Sequence, residues 1–306
     1  MKKAIVTGAN GFVGSWLVKE LVARDVEVFA IVKNKSSDIT SLLDLDKVRI
    51  VYCDLREIVN LNNLISDRDI DVFYHLGWAG STGAARADYA LQLSNTRYAC
   101  DSAKVAKELA CKKFLAAGTV TEKIAERALN LNINAENMIY GVCKHSTHCL
   151  LDIVCKKIGI DYVWMQFSNI YGPYNISGNI VSYTLNELIH DRRPSYSKAE
   201  QPYDLMYVED LVHALYLLGK HKTTKNCYFI GSGEPRLLKE YLLDIKVVYG
   251  NNCEIGIGER PEDGLKYELN WFQDSQLTQD VGFEPSFTFN QGIRKTIEWI
   301  QSGVDK

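Results

Sequence analysis

Apolar residues in the first half of the chain fall into short runs, separated by stretches in which they recur every three or four positions. The runs are Ala4 to Val6, Val26 to Val32, Val48 to Tyr52, Val72 to Leu76, Phe114 to Ala117 and Tyr162 to Phe167. Brief, β-branched-rich runs alternating with amphipathic helical patterns predict βαβ units and a parallel sheet covered on both faces. The crossovers should be right-handed. Later, Val208 to Leu218 reads as a helix and Cys227 to Ile230 as another short strand, while Ile293, Ile297 and Ile300 form one stripe of a closing helix. No repeat or low-complexity linker interrupts the chain. Pro/Gly punctuation gathers late, around Gly172-Pro173, Gly231 to Pro235 and Gly256 to Gly264, where the periodicity weakens. The expected fold class is therefore α/β, a doubly wound parallel sheet with a smaller, mixed C-terminal lobe. Residues 1–168 should form the sheet domain, with a return at about 203–232, and residues 169–306 mainly the lobe.

Composition adds limits. The chain has 306 residues, 35 basic against 38 acidic side chains and a formal net charge of -3. A chain of this length buries about 75% of the surface it exposes when unfolded, so disorder and a small disulfide scaffold are both excluded. There is no global basic field to hold nucleic acid or an anionic membrane. Met1-Lys2-Lys3 is followed by a three-residue apolar run that Thr7-Gly8 cuts, so no secretion signal is read there. No stretch approaches the roughly 18 apolar residues of a membrane span. The eight cysteines contain no Cys-x-x-Cys pair. The expectation is a cytoplasmic protein with reduced thiols.

Directly after the first strand stands Thr7-Gly8-Ala9-Asn10-Gly11-Phe12-Val13-Gly14, followed by an amphipathic helix from Ser15 to Leu21. Glycines at 8, 11 and 14 allow a tight turn, close backbone approach to a pyrophosphate and close helix packing, with the helix N-terminus aimed at the negative charge. Placed between a strand and a helix, this loop predicts a dinucleotide site and a Rossmann-type sheet. The second strand runs into Lys33-Asn34-Lys35-Ser36-Ser37, without the carboxylate that usually grips a ribose 2′-hydroxyl. Lys33 and Lys35 suit a 2′-phosphate and favour NADP(H) over NAD(H); the other reading is a solvated loop. Asp54 and Leu55, after the third strand, fall where an adenine would lie, or form a simple turn cap.

Tyr140 and Lys144 are four residues apart, on one face of a helix, where a cation favours phenolate and prepares the phenol for general acid–base work. Spacing decides little, because 17 tyrosines supply about one such pair by chance. The chain holds a second, Tyr216 with Lys220. Position separates them. Tyr140 follows a strand ending in Gly118-Thr119, which puts a hydroxyl at a strand C-terminus, where open parallel sheets carry their chemistry. Tyr216 sits on an apolar helix and reads as core.

Taken together, these motifs resemble the extended short-chain dehydrogenase/reductase family, the branch of NAD(P)-dependent nucleotide-sugar epimerases, dehydratases and 4-ketoreductases. Thr7 to Gly14 matches its glycine loop, Tyr140 to Lys144 its Tyr-x-x-x-Lys, and Thr119 the hydroxyl before that pair. Further matches are His75-Leu76-Gly77, Asn95, Ser168 to Pro173, Tyr203 to Asp210 and the late segment Arg260-Pro261-Glu262-Asp263. The chain departs from the pattern at Gln166, where the family usually has Arg, at Tyr203, which replaces an Arg, and around Thr119, where a serine run is more common.

The resemblance implies that Tyr140 donates and accepts the proton, that Lys144 lowers its pKa and holds the nicotinamide ribose, and that Thr119 orients the sugar oxygen. It implies cofactor contacts from Gly8, Asn10, Gly11, Phe12, Val13, Gly14, Lys33, Asp54, Leu55, Leu76, Gly77, Asn95, Tyr140 and Lys144, and substrate contacts from Trp78, Thr119, Asn169 and Arg260. Arg260 is expected to fork onto the nucleotide diphosphate. A nucleotide-sugar substrate, action at C4 as 4-ketoreductase or 4-epimerase, and a homodimer built on helices at Asn95–Lys107 and Tyr140–Lys157 follow by the same analogy. A reductase of a small non-nucleotide carbonyl and a nonenzymatic NADP-binding sensor are the competing readings. No metal is expected: His145, His148 and Cys149 lack a fourth ligand. Cys143 reads as packing, and Arg192-Arg193 and Lys220 to Lys225 as solvated surface.

Overall fold

The computed structural model describes residues 1–131, 138–250, 253–262 and 267–303. Contacts divide the chain into two compact units: Met1–Gln166 with Val212–Tyr228 and Gln276–Phe283, and Phe167–Leu211 with Phe229–Ser275 and Glu284–Lys306. Two later segments, Val212–Tyr228 and then Gln276–Phe283, thus return to the first unit. That second return is fastened by one carboxylate. Asp280 accepts Thr224 N at 2.9 Å and Thr224 Oγ1 at 2.7 Å, and also the Tyr228 hydroxyl. A single late Asp carries no periodic signal, so only the fold reveals it.

The strands β1 (Lys3–Thr7), β2 (Glu27–Val32), β3 (Val48–Tyr52), β4 (Val72–His75), β5 (Lys113–Thr119) and β6 (Asp161–Phe167) join Cys227–Ile230 in one seven-stranded sheet. From one edge the order is Cys227–Ile230, β6, β5, β4, β1, β2, β3. The α/β doubly wound expectation holds. Ala4, Ile5 and Val6 are all fully buried, as a strand covered on both faces must be. Strand β1 pairs in parallel with β2 on one side and β4 on the other, and Thr7 lies level with both Ile31 and His75. The chain leaves β3 to cross over to β4. The direction of winding reverses beside β1, and the carboxyl ends around that reversal leave the crevice where such sheets bind ligands.

Helices α1 (Phe12–Ala23), α2 (Leu61–Leu64), α3 (Tyr89–Glu108), α4 (Thr121–Asn130) and α5 (Met138–Ile158) belong to the first unit. The start of α3 is set by Asp88, whose side chain accepts Leu91 N at 3.1 Å. Both α3 and α4 pack along α5. A core containing Phe73, Phe114, Leu151 and Trp164 fills the space next to the sheet.

In the second unit the strands are short and mixed in direction. Asn169–Tyr171 pairs in parallel with Leu205–Tyr207, Pro202–Tyr203 antiparallel with Arg236–Leu237, and Ser195–Tyr196 in parallel with Gly256–Ile257. Its closing helix, Phe289–Ser302, begins in a capping box: Thr288 and Gln291 bond each other's backbone N–H groups. Among the described residues no helix is long and apolar enough to cross a membrane.

Candidate active site

The glycine loop joins β1 to α1, and its glycines are sterically required. Gly8 has φ +67°, and a Cβ there would lie 2.9 Å from Gly77 Cα; a Cβ on Gly14 would lie 2.0 Å from the Gly8 carbonyl oxygen. The loop is thus pressed against both the start of α1 and the end of β4. Gly11 caps α1 without a side-chain bond, and no acidic residue occupies the first turn, so its free N–H groups face an electropositive opening. Beside this opening lies a cleft of about 350 Å³ lined by Gly8, Asn10, Ile31, Lys33, Cys53, Asp54, Leu55, Arg56, Gly77, Ala79, Leu91, Asn95 and Tyr98. Apolar walls with a few convergent polar groups, next to an uncapped helix start, fit a dinucleotide.

Seven of the expected cofactor residues therefore share one cleft: Gly8, Asn10, Lys33, Asp54, Leu55, Gly77 and Asn95. Gly11 is instead the N-cap of α1 and Phe12, Val13 and Gly14 its first turn, while Leu76 backs Gly8, its carbonyl carbon 3.2 Å from where a Gly8 Cβ would be. Asn10 donates to Asp38 O at 2.9 Å, tying the glycine loop to the segment after β2. Asn95 does not offer its amide to the cleft. It accepts Ala79 N at 3.0 Å and donates to Ala79 O at 2.8 Å, which fixes the loop carrying Trp78. Asp54 is paired to Arg56 at 2.9 Å, which holds its carboxyl below the usual range. Arg56 is a cleft residue that sequence reading missed.

The acid–base candidates converge in the same unit. Tyr140 and Lys144, 7% and 4% exposed, lie on the buried face of α5. The Thr119 hydroxyl lies near the Tyr140 phenol and works to lower its pKa. Lys144 Nζ donates to Ala117 O at 2.6 Å and sits 3.8 Å from the Trp78 ring centroid, a cation–π contact. The Trp78 ring meets Tyr140 edge-on at 6.2 Å and is fixed by donating Nε1–H to Gln92 Oε1 at 2.7 Å. Arg86 lies 4.2 Å above the Tyr140 ring.

The electrostatics depart from the expectation that Lys144 would be the cation favouring phenolate. Burial pushes the Tyr140 phenol up to about 12; Arg86 is the charge opposing it, with the Thr119 hydroxyl helping and Glu122 working against. Burial also brings Lys144 down to about 7, partly offset by Glu122. Sequence reading missed both Arg86 and Glu122. Glu122 had a signal, because Thr119 and Glu122 have capping-box spacing, and Glu122 Oε1 does accept Thr119 N at 2.7 Å. Arg86 had none, since its loop carries no periodicity.

A pH dependence of folding follows from Lys144. The unfolded chain holds the lysine proton with its ordinary value of 10.5, the folded chain with about 7. Between those values the unfolded state binds more protons, so the penalty is full below about 7 and fades as pH rises to 10.5. The urea midpoint of the wild type should therefore rise relative to Lys144→Met over that window. Parallel curves for the two proteins would refute it.

The remaining candidates lie elsewhere. Asn169 and Arg260 belong to the second unit. The Asn169 amide is engaged: it donates to Asp204 O at 3.2 Å and accepts the Tyr203 hydroxyl at 3.0 Å. Arg260 donates to Ser195 Oγ at 2.9 Å and Tyr183 Oη at 2.8 Å, beside a cavity of about 550 Å³ that also includes Glu200, Gln201, Glu262 and Tyr267. Asp263 lies outside the described residues. Tyr216 is buried and stacked by Arg24 at 5.1 Å, as a packing residue is. His148 turns inward onto Trp164, whereas His145 stays exposed beside Cys149.

A family model described as the NAD dependent epimerase/dehydratase family matches residues 4–231. The chain belongs to that family and is an enzyme of the extended short-chain dehydrogenase/reductase type. It is similar to a dTDP-glucose 4,6-dehydratase of Escherichia coli, 24% identical over 97% of this chain and 93% of the relative. Two solved structures share the fold. One is UDP-glucose 4-epimerase from Thermotoga maritima with UDP-glucose, with TM-score 0.82, 19% identity and coverage of 99% of this chain and 100% of that one. The other is WbmF from Bordetella bronchiseptica in complex with NADH, with TM-score 0.82, 21% identity and coverage of 99% and 93%.

Proposed function

We propose that the protein transfers hydride to or from C4 of a nucleotide sugar, as a 4-ketoreductase or 4-epimerase, with NADP(H) favoured over NAD(H). The observation that carries this reading is that the buried Tyr140 and Lys144 of α5 meet the end of β5, where Lys144 donates to Ala117 O and Thr119 lies near the phenol. Bound in the neighbouring cleft, a nicotinamide supplies or takes up the hydride. The chain's own residues handle the proton. Held near 12, Tyr140 is protonated at neutral pH and set to donate to the oxygen of a carbonyl under reduction. Thr119 orients the same oxygen, and Lys144 supplies the charge beside it. Trp78, Asn169 and Arg260 are the proposed substrate contacts, Arg260 taking the nucleotide diphosphate.

Lys33 supports the cofactor preference. It is exposed at the rim of the cleft, next to a loop in which Asn34 Oδ1 accepts the hydroxyls of Ser36 and Ser37 at 2.8 and 3.2 Å. A 4-keto sugar nucleotide should be reduced with NADPH, and Lys33→Ala should raise the KM for NADPH about tenfold, equal to one lost charge contact, with little change for NADH. Tightly retained NAD in the purified protein, with no NADPH consumed on any 4-keto sugar nucleotide, would overturn the reductase reading.

Two features of setting belong to the same proposal. All eight cysteines are free thiols, as suits the cytoplasm. The outer faces of α3 and α5 expose Tyr89, Leu93, Leu150 and Ile153, which a homodimer through these helices would cover. Gel filtration giving a monomer at micromolar concentration would remove the dimer.

A further inference from the structure

Glu122 is 2% exposed, in the first turn of α4, and its carboxylate meets groups from three other elements. It accepts Thr119 N from the end of β5 at 2.7 Å and Trp164 Nε1 from β6 at 3.1 Å to each oxygen. His148 of α5 brings Nδ1 to 3.6 Å. The His148 ring lies flat on the Trp164 indole, 5.1 Å apart with 8° between planes. The strand makes room for this group. A Cβ on Gly118 would stand 2.3 Å from Trp164 Nε1 and 2.9 Å from Glu122 Oε1. Burying a carboxylate is costly unless donors and a counter-charge surround it, and here both have been assembled.

That assembly lies directly behind the acid–base groups. Thr119, whose N–H the carboxylate holds, donates its hydroxyl to Thr121 Oγ1 at 3.1 Å and lies near the Tyr140 phenol. The Trp164 ring, which Glu122 anchors, lies 5.8 Å from the Lys144 ammonium. A carboxylate serving only to cap α4 would need neither the indole nor the imidazole.

We propose that Glu122 is the positioning residue of the acid–base pair: by holding Thr119 N–H and the Trp164 indole it fixes the end of β5, whose Ala117 carbonyl receives the Lys144 ammonium, and it places its carboxylate behind that ammonium. This rests on Tyr140 and Lys144 being the acid–base groups. His148 is the counter-charge that makes the buried carboxylate tolerable. The titratable groups around Glu122 are Tyr140, Lys144 and His148 from α5, Tyr162 from β6 and Cys227 from the edge strand Cys227–Ile230, with Arg86 over the phenol. The directions agree. Glu122 raises Lys144 against its burial and raises Tyr140, and against the lowering effect of burial it also helps to raise His148.

The test needs no substrate. Full-length protein labelled with 13C at lysine Cε is titrated by NMR, the Lys144 signal being assigned by its loss in Lys144→Met. Glu122→Gln keeps an acceptor for Thr119 N–H but removes the charge, and the Lys144 midpoint should fall by about one pH unit. His148→Gln leaves the carboxylate uncompensated and should move the midpoint up. In Glu122→Ala, which also removes the acceptor, the Thr119 amide should exchange at least about tenfold faster than in Glu122→Gln. An unmoved Lys144 midpoint in folded Glu122→Gln overturns the proposal, as does equal Thr119 exchange in the Gln and Ala variants. Should Glu122→Gln not fold, a midpoint that stays or falls in His148→Gln overturns it instead. Loss of the catalytic reading would show separately, as turnover surviving Tyr140→Phe.

Discussion

Tyr140→Phe is expected to lower turnover by about 10²- to 10⁴-fold, the range that a positioned acid–base group contributes. The substitution removes one oxygen from a ring held by Trp78 at its edge and Arg86 on its face, so packing survives. Cofactor affinity should stay within a few-fold of wild type, because the dinucleotide cleft does not include Tyr140. The measurement is single-turnover oxidation of NADPH in the presence of a 4-keto sugar nucleotide, together with a cofactor titration. Undiminished turnover would remove the acid–base role from Tyr140, and with it the role assigned to Thr119.

Gly14→Ala should have the largest effect on binding. Its Cβ would stand 2.0 Å from the Gly8 carbonyl oxygen and 3.0 Å from Ala9 Cα, both backbone atoms that no rotamer change can move. Either α1 retreats from β1 or the glycine loop opens, and each displaces the N–H groups offered to the pyrophosphate. Overpacking of this kind costs about 3 kcal/mol at its upper range. Loss of measurable dinucleotide binding and a clear drop in the urea midpoint are expected together. Full NADPH affinity in Gly14→Ala would mean that the loop does not carry the phosphates.

Much of the first unit was legible because its signals are local. Ala4 to Val6 is apolar without interruption since β1 is buried on both faces, and the three glycines follow at once because chain reversal and close packing both demand them there. Tyr140 and Lys144 were legible only with help from position. Their spacing recurs at Tyr216 and Lys220, but there the tyrosine is buried packing beneath Arg24 and the lysine is exposed. The second return at 276–283 could not be read, because Asp280 earns its place through bonds to Thr224 and Tyr228, far away along the chain.

The electrostatic character of the site was the least legible part. A phenol and an amine four residues apart suggest an ammonium that stabilises a phenolate. Burial reverses the emphasis, raising the phenol to about 12 and lowering the amine to about 7. Arg86, on the loop between β4 and α3, and Glu122, on α4, then act as the nearby charges.

By itself, the order of residues determined the alternation of strands and helices, the dinucleotide turn and the identity of the acid–base candidates, all of which depend on neighbours within a few positions. Tertiary structure alone decided which carboxylate lies behind Thr119, which cation covers Tyr140, and that the Asn95 amide is spent on Ala79. Those outcomes depend on distances between segments separated by tens of residues, and on the loss of water around them, which no local pattern encodes.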